Sequence, residues 1–179
     1  EKAVIRGFED KDGQQDVTLF DGTTQQMNLM LAAKQDNIIT QDMYFTPSNV
    51  TDSTVIMTAQ AGNGGSLEMK YWLGPDYLLH FALTAKGMGG LFAPNYKEMD
   101  IEWSELCRQQ EKGFTFENRY STLTYREKGG DTDYLSETSE KRDEKIDETL
   151  DWVAFKNQFF SAALIAKDDF RSGALMTSI

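Results

Sequence analysis

One cysteine, one histidine and three prolines among 179 residues leave little catalytic or cross-linking chemistry to work with. Cys107 alone cannot close an internal disulfide, and it assigns no redox compartment. A nucleophilic thiol needs a base, and the only imidazole is His80, so Cys107 reads as a small apolar residue in or beside a strand. Three or four metal ligands cannot be gathered from one His and one Cys, and no carboxylate spacing matches a calcium loop. No metal or other cofactor is implied. Positive charge is scarce too: 18 basic against 29 acidic side chains give −11, a balance that repels a phosphate backbone and argues against nucleic acid. Uninterrupted apolar runs of the ~18 residues that a membrane helix needs are missing. The most apolar stretch, Trp152 to Ala166, is broken by Lys156, Asn157 and Gln158, so any membrane anchor is expected outside this chain.

What is present is alternation. Leu67, Met69, Tyr71 and Leu73 alternate with Glu68, Lys70 and Trp72, and Met99, Ile101 and Trp103 alternate with Asp100, Glu102 and Ser104. A period of two with one apolar set marks half-buried antiparallel strands. Val55 to Met57, Tyr77 to Thr84, Tyr120 to Arg126 and Trp152 to Phe155 add β-branched and aromatic runs of strand length. Turn chemistry separates them: Ala61-Gly-Asn-Gly-Gly65 fits a hairpin with positive φ, and Gly74-Pro-Asp76 and Lys128-Gly-Gly-Asp131 fit tight turns. Lys86 to Pro94 reads as a long connection between strands. The interval Ser136 to Leu150 holds eight charged residues from Glu140 to Glu148, with Ile146 and Leu150 as its apolar members, and is expected to be an exposed loop or short surface helix. The fold class is all-β, an antiparallel β-sandwich with little helix, organised as one domain over residues 1–179.

Candidate chemistry is sparse, and each candidate has a simpler structural explanation. His80 shares a face with Leu78, Ala82 and Thr84, which suits a structural or surface histidine better than a general acid. Asp100 and Glu102 lie about 7 Å apart on one strand face, within glycosidase range, yet a solvated outer face accounts for them equally. The glycine clusters lack the Gly-Lys-Ser/Thr ending and the strand-to-helix context of phosphate loops, and Asn49-Val-Thr51 is a glycosylation triplet of the kind that arises by chance. Tyr44, Phe45, Tyr71, Trp103, Phe114, Phe116, Tyr120 and Tyr125 are expected mainly in the core, although aromatic faces could also line a cleft for peptide or sugar. Trp72 differs, because the alternation sets it on the Glu68/Lys70 face, where an apolar ring marks a possible contact surface.

The run Trp152-Val-Ala-Phe-Lys-Asn-Gln-Phe-Phe160, followed by Ala162-Ala-Leu-Ile165, resembles a signature of the periplasmic domain of the bacterial membrane protein insertase family YidC, in the form found in Bacteroides-like bacteria. Upstream, Gly74-Pro-Asp-Tyr-Leu-Leu-His-Phe-Ala-Leu83 is similar to that family's strand introduced by a Gly-Asp-Tyr-type turn. The likeness runs over roughly residues 50 to 170. It implies a supersandwich of the galactose-mutarotase-like type, carried on the periplasmic face of the inner membrane between two membrane helices of a multi-pass protein. It also implies a non-catalytic role in inserting and folding inner-membrane proteins, with or without the Sec translocase, and contact with SecD/SecF or emerging polypeptide. The chain is then expected to be cut short at both ends, and its signature segment to record core packing, with Trp152 and Phe159 buried. The same architecture also hosts sugar-binding and epimerase-like proteins, so a secreted carbohydrate-binding sandwich is the alternative; the lack of a second His and of a clustered acid, base and aromatic set counts against it.

Overall fold

A computed structural model describes residues 2–13, 16–22, 24–76, 78–95, 97–136 and 143–177. Its strands follow in order as β1 (Ala3–Arg6), β2 (Asp16–Phe20), β3 (Gln25–Leu31), β4 (Ile38–Ile39), β5 (Thr46–Ser48), β6 (Thr54–Gln60), β7 (Ser66–Leu73), β8 (Leu79–Lys86) and β9 (Met99–Glu105). A five-residue helix, α1 (Phe114–Asn118), comes next. The remaining strands are β10 (Thr122–Glu127), β11 (Thr132–Ser136), β12 (Asp143–Ile146), β13 (Leu150–Lys156), β14 (Ser161–Phe170) and β15 (Gly173–Met176). The pairings β1–β2, β3–β4, β5–β6, β6–β7, β7–β8, β10–β11, β10–β13, β12–β15 and β13–β14 are antiparallel, and the protein is all-β. The chain forms two compact units, one of Met27–Trp103 and the other of Glu1–Gln26 with Ser104–Ile179.

The Met27–Trp103 unit is built on a four-stranded sheet in the order β5-β6-β7-β8. Its registers are regular: Met69 stands between Met57 and Leu83, and Tyr71 between Val55 and Phe81. Alternation therefore stacks Leu67, Met69 and Tyr71 on one face with Ala59, Met57 and Val55, and puts Glu68, Lys70 and Trp72 on the other. Leu67 and Met88 are fully buried and pack with Leu31, Ile38, Phe45 and Leu83. Met88 reaches this core because the chain passes close under the β6–β7 turn. A side chain at Gly65 would lie 2.7 Å from the Lys86 carbonyl oxygen, so only glycine permits that approach. Asn63 secures the turn, accepting from the Gly65 N–H and donating to the Gly87 carbonyl.

The second unit carries the four-stranded sheet β11-β10-β13-β14, with the pair β12-β15 packed against it. Leu123, Tyr125, Leu135, Ile146, Leu150 and Leu175 are buried together, and Val153, Phe155 and Phe170 close around them. Ser136 to Leu150 is thus neither loop nor helix throughout: Asp143 to Ile146 pair with Met176 to Gly173 as a strand, and Ile146 and Leu150 are core. Helical spacing was the wrong template there, since two apolar residues four apart also serve a short strand and the start of the next. Glu140 and Lys141 lie outside the described residues, as does Tyr77.

The signature segment is a hairpin of β13 and β14, and its interior differs from the expectation. Val153 and Phe155 face the core, while Trp152 lies on the opposite sheet face, half-buried and paired across the strands with Ile165, which is exposed. Phe159, in the connecting turn, is 60% exposed and is not a core residue. The buried member of that turn is polar. Asn157 accepts from the backbone N–H groups of Phe159 and Phe160, an Asx turn that fixes the reversal, and its amide reaches Glu117 of α1.

Candidate contact surface

Trp72, the residue singled out by the alternation, stands on the outer face of β7 opposite His80 of β8. The indole and imidazole rings stack with centroids 5.0 Å apart and planes 12° from parallel. On the same face the Lys70 ammonium lies 5.2 Å from the indole centroid, within cation–π range. His80 Nε2 in turn meets both carboxylate oxygens of Asp76, at 3.1 and 3.2 Å. The Leu78 backbone N–H bonded to Asp76, together with the hydrogen bond and charge of His80, holds that carboxyl below its ordinary range. Gly74 makes the arrangement possible: a Cβ there would sit 2.5 Å from Asp76 Oδ1 and 2.7 Å from His80 Nε2. The Gly-Pro-Asp turn thus returns the strand and also supplies the anion that orients the imidazole.

Beside this stack, large apolar side chains face solvent. Leu73 and Leu79 pair across the end of the hairpin and are 55% and 63% exposed; Leu78 and Val50 are also exposed. Val50 belongs to the neighbouring turn, tied to the same sheet end through the Leu73 N–H bonded to the Ser53 carbonyl. The end of this sheet thus exposes apolar side chains one pair beyond the indole, Leu73 and Leu79 by alternation on the sheet face opposite Trp72. Such a surface can bind by burial and stacking.

The other candidates are scattered. Asp100 and Glu102 are exposed on β9, whose inner residues Ile101 and Trp103 are half-buried. Cys107 is half-buried just past that strand. Among the described residues no three His, Cys, Asp or Glu side chains gather around a possible metal. A concavity of about 660 Å³ lies between Asp42–Tyr44, β5 and the end of β6, away from His80 and both β9 carboxylates.

Several aromatics expected in the core are on the surface instead. Tyr44 is almost fully exposed, and Phe114, Phe116 and Tyr120 are each about half exposed, the last two packing edge to face at 5.5 Å. For Phe114, Phe116 and Tyr120 the cause is the short helix α1. Its buried residue is Glu117, which accepts from the backbone N–H groups of Gln110 and Glu111 and so turns the aromatic neighbours outward. The signal in the sequence was an acidic residue between aromatics, a pattern that strand logic misreads.

Comparison with known proteins gives this surface a context. A family model described as the YidC periplasmic domain matches residues 2–178. The chain belongs to that family. Among YidC relatives, the "Membrane protein insertase YidC" of Phocaeicola vulgatus is 44% identical over 98% of this chain and 28% of its own length. That of Bacteroides fragilis is 43% identical over 94% of this chain and 27% of its own length, and that of Porphyromonas gingivalis W83 31% over 97% and 28%. The chain spans somewhat over a quarter of these YidC proteins. No solved structure matches it. As a YidC periplasmic domain it lies on the periplasmic side of the inner membrane, and no described helix is long and apolar enough to cross a membrane.

Proposed function

We propose that this domain is a non-catalytic contact module of a multi-pass insertase that inserts and folds inner-membrane proteins, with or without the Sec translocase. Its partners in this reading are SecD/SecF or polypeptide emerging beside the membrane, met through the sheet end that carries Trp72. The observation supporting it is an oriented indole at a sheet end that also exposes Leu73, Leu79, Leu78 and Val50. A few such apolar anchors set affinity more than total area does. Residues 1–179 act in this proposal as one domain of the supersandwich type, since one family model spans nearly all of it.

Site-specific photo-crosslinking in the full-length protein tests the reading. A photoreactive residue at position 79 is expected to capture SecD, SecF or a nascent membrane protein, and Leu73→Asp, at an exposed position, to abolish the adduct. Equal labelling of the Leu73→Asp protein, or no adduct at all from position 79, would remove this surface from the interaction.

A further inference from the structure

We propose that the aromatic patch formed by α1 and the β13–β14 turn rests on an anionic phospholipid bilayer, with its rings at the level of the lipid headgroups. The inference stands on the family's place beside the inner membrane and on a different unit from Trp72, so either surface can fail alone.

Two short segments meet at one end of the β10-β13 pair. Thr122, which opens β10 shortly after α1, is paired with Lys156, the last residue of β13. The contact of Glu117 with Asn157 then joins the helix directly to the β13–β14 turn. Both segments are inside out: their polar members Glu117 and Asn157 are buried, while Phe114, Phe116, Tyr120 and Phe159 stand in solvent. Each polar anchor accepts from backbone N–H groups, so the fold itself holds these rings outward. Phe116 and Tyr120 pack on each other one helical turn apart, and Arg119 is three residues from Phe116 on the exposed side. Single apolar side chains on a surface need no explanation, but four aromatics on two joined segments make a patch.

Shape and charge choose the occupant. Protein hot spots fill matched pockets, whereas these rings project, and the concavities lined by Tyr44 and Thr58 and by Arg6 and Thr18 lie elsewhere. Around the rings the sign of charge is opposite to that of the whole chain. Lys112, Arg119 and Lys156 are exposed, and no ion pair to another described residue holds them. Against these three bases stands one exposed acid, Glu111; Arg108 is neutralised by Asp21. Glu137 to Arg142, next in sequence after β11, carry two charges of each sign. Charges farther off than about 10 Å are screened at ordinary salt, so the −11 of the chain does not decide the matter here. A bilayer needs no shaped cleft to accept projecting rings, holds Phe and Tyr at its interface, and draws Lys and Arg to anionic headgroups. The indole of Trp72 is a poorer seat, since it is already stacked on His80.

The test mixes the 179-residue chain with vesicles of phosphatidylcholine, either pure or with about a third phosphatidylglycerol, and follows flotation. Binding to the anionic vesicles is expected to fall steeply as salt rises from about 0.1 to 1 M, and the pure vesicles to bind about tenfold more weakly. Phe116→Ser combined with Phe159→Ser, both at exposed positions, is expected to weaken binding by about tenfold with thermal melting retained. Phe159→Trp reports depth: its emission should shift to the blue and be quenched by lipids brominated near the top of the acyl chain. The lipid and salt arms use the unchanged protein and decide the matter even if a variant fails to fold. No binding to anionic vesicles at about 5 mM lipid overturns the proposal and leaves the patch to a protein partner. Equal binding to both vesicles, equal binding of the doubly substituted protein, or an indole at position 159 that brominated lipid does not quench overturns it as well. So does a lipid-free dimer in light scattering that the two serine substitutions dissociate, which would give the patch to a second copy.

Discussion

Glu117 Oε1 lies 3.4 Å from the side-chain amide nitrogen of Asn157, and the same carboxylate accepts from the backbone N–H groups of Gln110 and Glu111 at 2.9 to 3.0 Å. One buried anion thereby fastens three pieces of chain: the segment after β9, helix α1, and the turn of the signature hairpin. Replacing Glu117 with Ala orphans those donors in a buried place. A loss of about 3 kcal/mol is expected in urea unfolding. Glu117→Gln retains one acceptor oxygen and should lose less; equal stability of all three proteins would contradict the shared role.

Hydrophobic truncations should separate the two faces of the signature hairpin. Leu150 is fully buried and Phe159 is 60% exposed. Leu150→Ala is expected to cost ~2 to 5 kcal/mol, and Phe159→Ala within about 0.5 kcal/mol of nothing. Thermal melts of both variants check the order.

Tyr125 gives an alkaline signature. Burial, then the charges of Asp133 and Glu144, push its phenol up from 10.0 to about 12. The folded state therefore keeps a proton that the unfolded state releases near pH 10, and stability falls as pH rises between those values. Tyr125→Phe should flatten that part of the denaturation midpoint against pH.

Glu105 works the same way at acid pH. Burial raises its carboxyl, opposed by the Gln25 amide at 3.2 Å, and the folded state holds its proton more tightly than the unfolded one. Its contribution is most favourable below the ordinary carboxylate range and is lost as pH rises through the shifted value. Glu105→Gln, which keeps an acceptor for Gln25, is expected to melt at a higher temperature than the parent at pH 7, with the advantage shrinking at pH 3.

At Gly74 an added methyl meets Asp76 and His80. Gly74→Ala should cost about 1 kcal/mol and shift the Trp72 emission as the imidazole leaves its stacked position; unchanged emission would mean that the turn absorbs the methyl elsewhere.

Strand alternation made much of this architecture legible. The faces of β7 and β9, the glycine turn before β7 and the loop from Lys86 to Pro94 all follow from residue order, because a period of two with one apolar set has a single physical solution. Trp72 could likewise be put on the outer face, whereas its stacking on His80 depends on cross-strand register, which one strand alone does not reveal. The failures share another cause. Helix α1 has five residues and no repeat to read, and Phe159 is apolar by composition while a buried Asn157 next to it decides the turn. Short segments governed by one polar anchor are opaque to pattern reading, since their information resides in a hydrogen bond to a distant residue.

The division of the chain has a consequence for biosynthesis. Met27–Trp103 is contiguous, whereas its neighbour unites Glu1–Gln26 with everything after Ser104. A domain delivered N-terminus first can complete the contiguous part while β1 and β2, already delivered, still await the Gln110 side chain that donates to the Thr18 carbonyl. Closing that long loop is slow for a ribbon of strands. The earliest residues to arrive are thus among the last to become native, and during the interval their edges are open to whatever polypeptide stands nearby.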